Sequence, residues 1–364
     1  QMYLPTADPE ALKIALEEML AEAGCEVLYR CHGIDVVQDG NALKGAVVET
    51  KEGRLAVLAK QVVDATGDGD VLFQAGENYQ QYLHGVGFTW RIAGFDAMGD
   101  LAKLRKQNLN IGNLEPCSDT RWYNESGVSM NCFDVAGISR ILKKHRRSAW
   151  DSAETLRKAG YESAHLVWTA SQVGIRGART LDGLKSIDRV WANADRDEGD
   201  TVAFMGADAK SPRGSRVPYG CLVPKTVDNL LVAGRVCSCA DDMVDLFRLI
   251  APCLVTGQAA GAAAAVAAQK GVTRVTVPAV VADRNARLYD LEFAAESKSG
   301  ARKVKLVIPE GFNHALAHRK AKLPSSCVFS QAELPQGEIR FVVTPRNCFG
   351  RCGAPLTTEW RKLS

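Results

Sequence analysis

Four side chains in this sequence are of the types that move protons or grip anions: His84, Arg91, Arg176 and Arg179. His84–Ala93 alternates as a strand, with Val86, Phe88 and Trp90 on one side and Gly87, Thr89 and Arg91 on the other. A histidine there is suited to act as base in oxidising an alcohol or acid at C–H, and an arginine to hold a carboxylate or polarise a carbonyl. Arg176 and Arg179 stand three apart beside a Gly-Ile turn, which suits an anionic group. The plainer alternatives are a hydrogen-bonded structural histidine and ordinary surface ion pairs. The same structural reading is preferred for His145 and His165. Cys237-Ser238-Cys239 has a spacing that strains a disulfide, and Cys327, Cys348 and Cys352 offer too few ligands at regular spacing for zinc or an iron–sulfur cluster. All are read as thiols, and no metal is expected.

These residues need elements to position them. Asp8 can cap a helix over Pro9–Ala23, whose Leu12, Leu16, Met19, Leu20 and Ala23 make one apolar stripe, and Gly24 ends it. Short strands are expected at Glu26–Tyr29, Ile34–Val37, Leu43–Glu49, Leu55–Leu58 and Gln61–Ala65. The last of these opens into Thr66-Gly67-Asp68-Gly69-Asp70, where small residues allow a ligand close to the backbone. Two helices are expected at Ile138–His145 and Asp151–Gly160. In the C-terminal half, Asn229–Ala233 reads as a fully buried strand ending at Gly234-Arg235. A helix is then expected to begin near Gly257-Gln258-Ala259, presenting free N–H groups to a phosphate or an electron-rich ring.

The chain has 364 residues and a net charge of +3, but residues 298–364 carry +8 and the rest −5. A basic tail on an acidic body points to a contact with a partner surface, and no nucleic-acid module is recognisable. The composition is that of a globular protein, 46% hydrophobic and 24% charged, which excludes disordered and fibrous classes. Eleven cysteines, odd in number and irregular in spacing, suggest a reducing, cytoplasmic compartment. No secretory leader is expected at the N-terminus. The uncharged run Leu249–Gln269 is rich in Ala and Gly and is read as a buried helix, not a membrane span.

Two blocks carry a resemblance. The first runs from Asp8-Pro9-Glu10 to Asp64–Asp70; the second runs from Val217-Pro218-Tyr219 through Leu231–Arg235 to Thr256–Gly261. Together they resemble FAD-dependent oxidoreductases of the glutathione-reductase-type fold, in the branch distantly related to fumarate reductase flavoproteins. Gly174, Arg176, Arg179 and Gly183 are similar to a conserved-type stretch of that branch. The resemblance implies an FAD site formed by Ala65, Thr66, Gly67 and Asp68 along the ADP half. It implies Gly234, Arg235, Arg248, Gly257, Gln258 and Ala259 at the pyrophosphate, ribityl and flavin ring, with Ile34 meeting the adenine through its backbone. His84 and Arg91 would then face the flavin.

The G-x-G-x-x-G turn of such proteins is not found; Gly85-Val86-Gly87 is followed by Trp90 in the required place. The expected fold is therefore α/β: a partial Rossmann-like (three-layer ββα) FAD-binding domain with an inserted α+β substrate domain and a C-terminal extension. The expected boundaries are 1–74 and 216–270 for the FAD domain, 75–215 for the substrate domain and 271–364 for the extension. A second chain supplying the missing segment, hence a hetero-oligomer, is the expected partner. The expected activity is hydride transfer from a small organic substrate to flavin. A flavin monooxygenase or hydroxylase, or a non-catalytic subunit completing a partner's flavin site, are the alternatives.

Overall fold

The computed structural model describes residues 8–94, 110, 112–115, 119–194, 199–205, 215–275, 290–307, 334–336, 338–346, 356–359 and 361–362. It divides into two compact units, Leu4–Met205 with Ser215–Val277, and Gln1–Tyr3 with Gly206–Gly214 and Pro278–Ser364.

The larger unit begins with helix α1, Pro9–Glu22, started by Asp8, whose carboxylate accepts the Glu10 and Ala11 N–H groups. Its apolar stripe is not buried: Ile14, Leu16, Met19 and Leu20 are all exposed. An antiparallel meander follows, β1 (His32–Asp39), β2 (Ala42–Thr50) and β3 (Gly53–Leu58). The strand expected at Glu26–Tyr29 is irregular chain, because no described segment pairs with it. Strand β4 (Val62–Asp64) leads into the short helix α2 (Asp70–Gln74) and then β5 (Tyr79–Gln81) and β6 (Gly85–Ala93).

Strand β6 is central in a four-stranded antiparallel sheet with β7 (Asn113–Leu114), β8 (Arg121–Ser129) and, beyond one long helix, β9 (His165–Thr169). That helix, α3, spans Val135–Lys158 as one element. Two helices were the sequence expectation, but residues 146–150 hold no Gly or Pro to break the ladder, and Asp134, not Asp151, is the cap. Ala149, Ala153 and Leu156 of α3 pack on Val86, Phe88, Trp90 and Ile92, the inward row of β6. Fully buried side chains such as Phe88 and Ile92 each stabilise by roughly 2–3 kcal/mol. This core makes β6 a rigid ruler for anything at its ends.

The chain returns through β10 (Arg179–Leu181), which pairs with β5, then helix α4 (Arg189–Asn193) and the β11 (Thr201–Met205)–β12 (Ser215–Pro218) hairpin. Strand β13 (Leu230–Val232) pairs in parallel with β4, Leu230 opposite Val62 and Val232 opposite Asp64. Leu43, Val71, Ala75, Val227 and Leu230 form a second core beneath this pair. Helix α5 (Val244–Phe247) precedes helix α6, Ile250–Lys270, whose Thr256, Ala259, Ala260, Ala263 and Ala267 are buried. By length and composition α6 could cross a membrane.

Helix α6 corrects one expectation outright. It begins at Ile250, so Gly257, Gln258 and Ala259 lie in its interior with their N–H groups already in the helical ladder, not at a free N-terminus. Pro252 sits in the first turn, where its lack of an N–H costs nothing.

The smaller unit is a five-stranded antiparallel sheet, in which β14 (Asp290–Ser297) lies between β15 (Arg302–Val307) and β16 (Glu338–Arg346), and β17 (Leu356–Thr357) and β18 (Arg361–Lys362) pair with β16. This is more structure than the sparse pattern after Gly271 suggests. Its basic residues are partly matched: Glu296 takes Arg302 at 2.9 Å and Arg340 at 3.0 Å, and Lys298 pairs with Glu338. The sequence also suggests short strands at Val275–Val277 and Ile339–Val343; the first lies largely outside the described residues and the second falls within β16.

Candidate functional site

The carboxyl ends of the parallel pair β4–β13 form a cradle. Asp64, fully buried, winds the following loop around itself: one oxygen accepts the Thr66 N–H (3.0 Å) and hydroxyl (2.7 Å), the other the Leu72 N–H (2.8 Å). The Thr66 hydroxyl in turn accepts the Asp70 N–H at 3.0 Å. The loop Ala65-Thr66-Gly67-Asp68 can turn this sharply because Gly67 sits at φ 80°. Across from it, Ala233 N–H donates to the Asp64 carbonyl at 3.0 Å, and Gly234, at φ 69°, donates to the Thr256 hydroxyl at 3.0 Å.

Arg235 closes the cradle. Its guanidinium pairs with Asp68 and crosses directly over Gly67, where a Cβ would lie 2.9 Å from Nη2. The Arg235 Nε is buried without a hydrogen-bond partner among the described residues. An orphaned cationic nitrogen and two left-handed glycines, at the carboxyl ends of parallel strands, fit the anionic and close-packed part of a dinucleotide. Ile34 stands where a backbone contact could form: it is the extra residue of a bulge in β1, between the pairs Gly33–Val48 and Asp35–Val47.

Arg179 is placed beside this loop and stitches it. Its Nη1 is 3.2 Å from Asp70 Oδ1 and donates to the Asp68 carbonyl at 3.3 Å, while the guanidinium is sandwiched between Phe73 (4.0 Å) and Phe133 (3.9 Å). Burial and the nearby Asp68 charge raise the Asp70 carboxyl, and Arg179 opposes them.

A second cluster gathers at the start of β6. His84 Nε2 lies 2.8 Å from Asp241 Oδ1. Gly177 makes room for the ring: a Cβ there would fall 2.7 Å from His84 Cδ2 and 2.8 Å from the Tyr82 carbonyl. Arg176, the preceding residue, lays its guanidinium over Gly87, whose Cβ would be 2.9 Å from Nη2. Gly87 and Gly174 lock these two segments together by exchanging backbone hydrogen bonds of 2.8 and 2.6 Å. Arg248 Nε donates to Asp245 Oδ1 at 2.8 Å. Burial would raise the Asp245 carboxyl, but the Arg248 hydrogen bond and charge, with His84 and Arg176 nearby, outweigh it and hold the group below its usual range. Burial and then the like charge of Arg248 lower Arg176, with Asp245 opposing.

The four residues singled out for chemistry therefore fall in three places. His84 and Arg176 come together. Arg179 belongs to the cradle loop. Arg91 is paired with Glu115 at 2.7 Å and lies over the Trp168 ring at 5.3 Å. Seven residues of strand put it about 20 Å from His84. Asp241 and Asp245 were not singled out from the sequence, although the acidic run Asp241-Asp242-x-x-Asp245 between Arg235 and Arg248 is the signal that marks them. His145 is a core residue stacked on Phe88 at 5.6 Å, and His165 is exposed with Nδ1 2.9 Å from the Ser163 carbonyl. Cys221, Cys237 and Cys239 are buried, and burial pushes their thiols up, so they stay protonated. Among the described residues no group of His, Cys, Asp and Glu could hold a metal; Cys327, Cys348 and Cys352 lie outside them.

Comparison with solved structures finds similar chains at low identity. A geranylgeranyl bacteriochlorophyll reductase-like protein from Thermoplasma acidophilum is 14% identical with a TM-score of 0.37, over 75% of this chain and 59% of that one. Glycine oxidase from Geobacillus kaustophilus is 14% identical with a TM-score of 0.30, over 69% and 53%. L-proline dehydrogenase from P. horikoshii is 13% identical with a TM-score of 0.32, over 75% and 58%. The chain thus spans between half and three-fifths of the length of each of these three. No curated protein matches. The sequence model of one family, however, matches residues 1–86 and 97–286, which include the cradle and nearly the whole His84 cluster, and by that match the chain belongs to the FAD dependent oxidoreductase family.

Proposed function

We propose that this chain oxidises a small organic substrate at the His84 cluster, with FAD held in the cradle of Ala65–Asp68, Gly234 and Arg235. The observation that carries the reading is that one loop joins the two places. His84 immediately precedes β6, Gly87 lies near its start, and residues 174–179 run from Arg176 at the cluster to Arg179 at the cradle. When bound, FAD supplies a two-electron acceptor.

The chain's own residues do the rest. Asp241 takes the His84 Nε2–H, so Nδ1 carries the lone pair and is the basic nitrogen. That nitrogen accepts the proton lost from the substrate's O–H or N–H as the neighbouring C–H is oxidised. Arg176 orients the substrate, and Asp245 keeps Arg248 in place beside it. The test is anaerobic bleaching of bound flavin by candidate substrates. His84→Gln is expected to slow it about 100-fold or more with flavin content unchanged; an unchanged rate would overturn the assignment.

A further polypeptide segment completing the nucleotide site is part of the same proposal. In support, the parallel sheet has two strands among the described residues, fewer than an independently stable sheet needs. Leu16 and Met19 of α1 and Val57 and Leu58 of β3 also present apolar surface to solvent. Mass analysis of every chain that co-purifies with the flavin tests it.

A further inference from the structure

In the His84 cluster every charged group but one has its partner. Asp241 takes His84, and Asp245 takes Arg248. Arg176 alone has no hydrogen bond or ion pair to any described residue, although it is half-buried and sits beside a second arginine. A guanidinium carries five donors in a rigid planar fork, and leaving it desolvated next to a like charge is costly unless an anion completes it.

The surroundings decide which anion. Arg176 lies over Gly87, where the absent side chain lets the fork rest against the strand. Arg248 is already taken by Asp245, so a dianion such as phosphate would find one unmatched cation and would be repelled by Asp241 and Asp245. A flat, singly charged acceptor matches a single fork in both charge and shape. Asp245 lies within electrostatic reach of both Arg176 and His84, so a group held on Arg176 shares one cluster with the base.

We infer that Arg176 takes the carboxylate of the substrate, and that the substrate class is small organic monoacids oxidised next to their carboxyl group. The inference rests on the oxidoreductase reading above for the reaction, but the binding it describes belongs to this chain's residues alone.

The test titrates the purified chain with acetate, propionate and benzoate, and with acetamide and benzamide as neutral shape controls, followed by thermal shift and calorimetry. The carboxylates are expected to stabilise the chain and the amides to leave it unchanged. Arg176→Met is expected to weaken carboxylate binding about tenfold or more, with Arg176→Lys recovering part of it. Arg140→Met, at an exposed residue 3.8 Å from Asp134, is expected to bind as the parent does. Equal effects of amides and carboxylates, or binding unchanged in Arg176→Met, would overturn the inference. Phosphate or pyrophosphate displacing benzoate at equal concentration would also overturn it and assign Arg176 to a nucleotide. Flavin bleaching is measured on the flavin-loaded protein with every co-purifying chain: an Arg176-dependent carboxylate response in a protein whose flavin no small monoacid bleaches would uphold the anion site and sink the oxidation proposed at the His84 cluster.

Discussion

His84 and Asp241 meet at 2.8 Å across 157 residues of chain, and the contact sets which imidazole nitrogen is basic. Asp241→Asn keeps a side chain of the same size but removes the charge that holds the tautomer. Turnover is expected to fall roughly tenfold, because Asp241 is largely exposed and water partly replaces it. Flavin content should not change. Stopped-flow reduction checks both, and an unchanged rate would remove Asp241 from the proposed machinery.

Gly177→Ala probes the same ring from the other side. A methyl group at this position cannot coexist with His84 where it stands, since its Cβ would be 2.7 Å from Cδ2. The expected outcome is loss of turnover with circular dichroism and flavin content like the parent's. Full activity would mean that the ring position is immaterial.

Gly67 and Gly257 make opposite predictions, although both were expected from the sequence to meet the cofactor. Gly67 is left-handed and lies under Arg235, so Gly67→Ala is expected to cost about 1–3 kcal/mol and to reduce flavin retention. Gly257 is inside α6 with nothing within 4 Å of its Cβ position, so Gly257→Ala is expected to add about 0.5–1 kcal/mol of stability. Denaturant melts and flavin absorbance separate the two. A destabilised Gly257→Ala would falsify the helical placement.

Glu77 predicts acid sensitivity. It is 3% exposed, and one oxygen accepts the Thr226 N–H (2.9 Å), the Thr226 hydroxyl (2.8 Å) and the Val227 N–H (2.8 Å). Burial raises the carboxyl, but these hydrogen bonds outweigh it and the pKa is lowered. A group depressed on folding stabilises above its unfolded pKa and loses that contribution as pH falls through the folded one. The parent is therefore expected to lose stability below about pH 4.5, more steeply than Glu77→Gln does. Urea midpoints across that range are the measurement; parallel slopes would exclude Glu77 as the titrating tie.

The C-terminal sheet should be separable at one point only. Ending the chain near Pro278 removes all five strands of the smaller unit's sheet, whereas ending it at Lys298 keeps β14 and strips away both its partners, β15 and β16. The shorter product is expected to stay soluble and melt cooperatively, and the longer one to aggregate through its unpaired edges. Light scattering on both products distinguishes them.

Residues that advertise themselves locally were legible in the sequence. Asp8-Pro9 starts a helix, the alternation from Val86 to Trp90 makes a strand, and the glycines after Asp64 mark a cradle. What could not be read depends on distant partners. Asp241 looks like any surface carboxylate until His84 is brought to it, and Arg91 looks catalytic until Glu115 and Trp168 take it. The start of α6 is expected near Gly257 because the small residues there resemble a phosphate-facing helix start, whereas the uncharged run from Leu249, with Pro252 in a first turn that tolerates it, forms one helix. The stripe on α1 read correctly as apolar, but periodicity says only that a face is suited to burial, not that anything described covers it.

The cradle joins Val62 to Leu230, two strands separated by most of the larger unit. During synthesis at about 5–20 residues per second, β4 leaves the ribosome roughly 10–30 s before β13 exists to pair with it. For that interval an apolar strand with an unpaired edge and the buried-to-be carboxylate of Asp64 face solvent or a chaperone. The antiparallel meander ahead of it needs only neighbours and can form at once. The cradle is thus among the last parts of the larger unit to be born, and it stays unformed until the chain through β13 has been made and has paired back with β4.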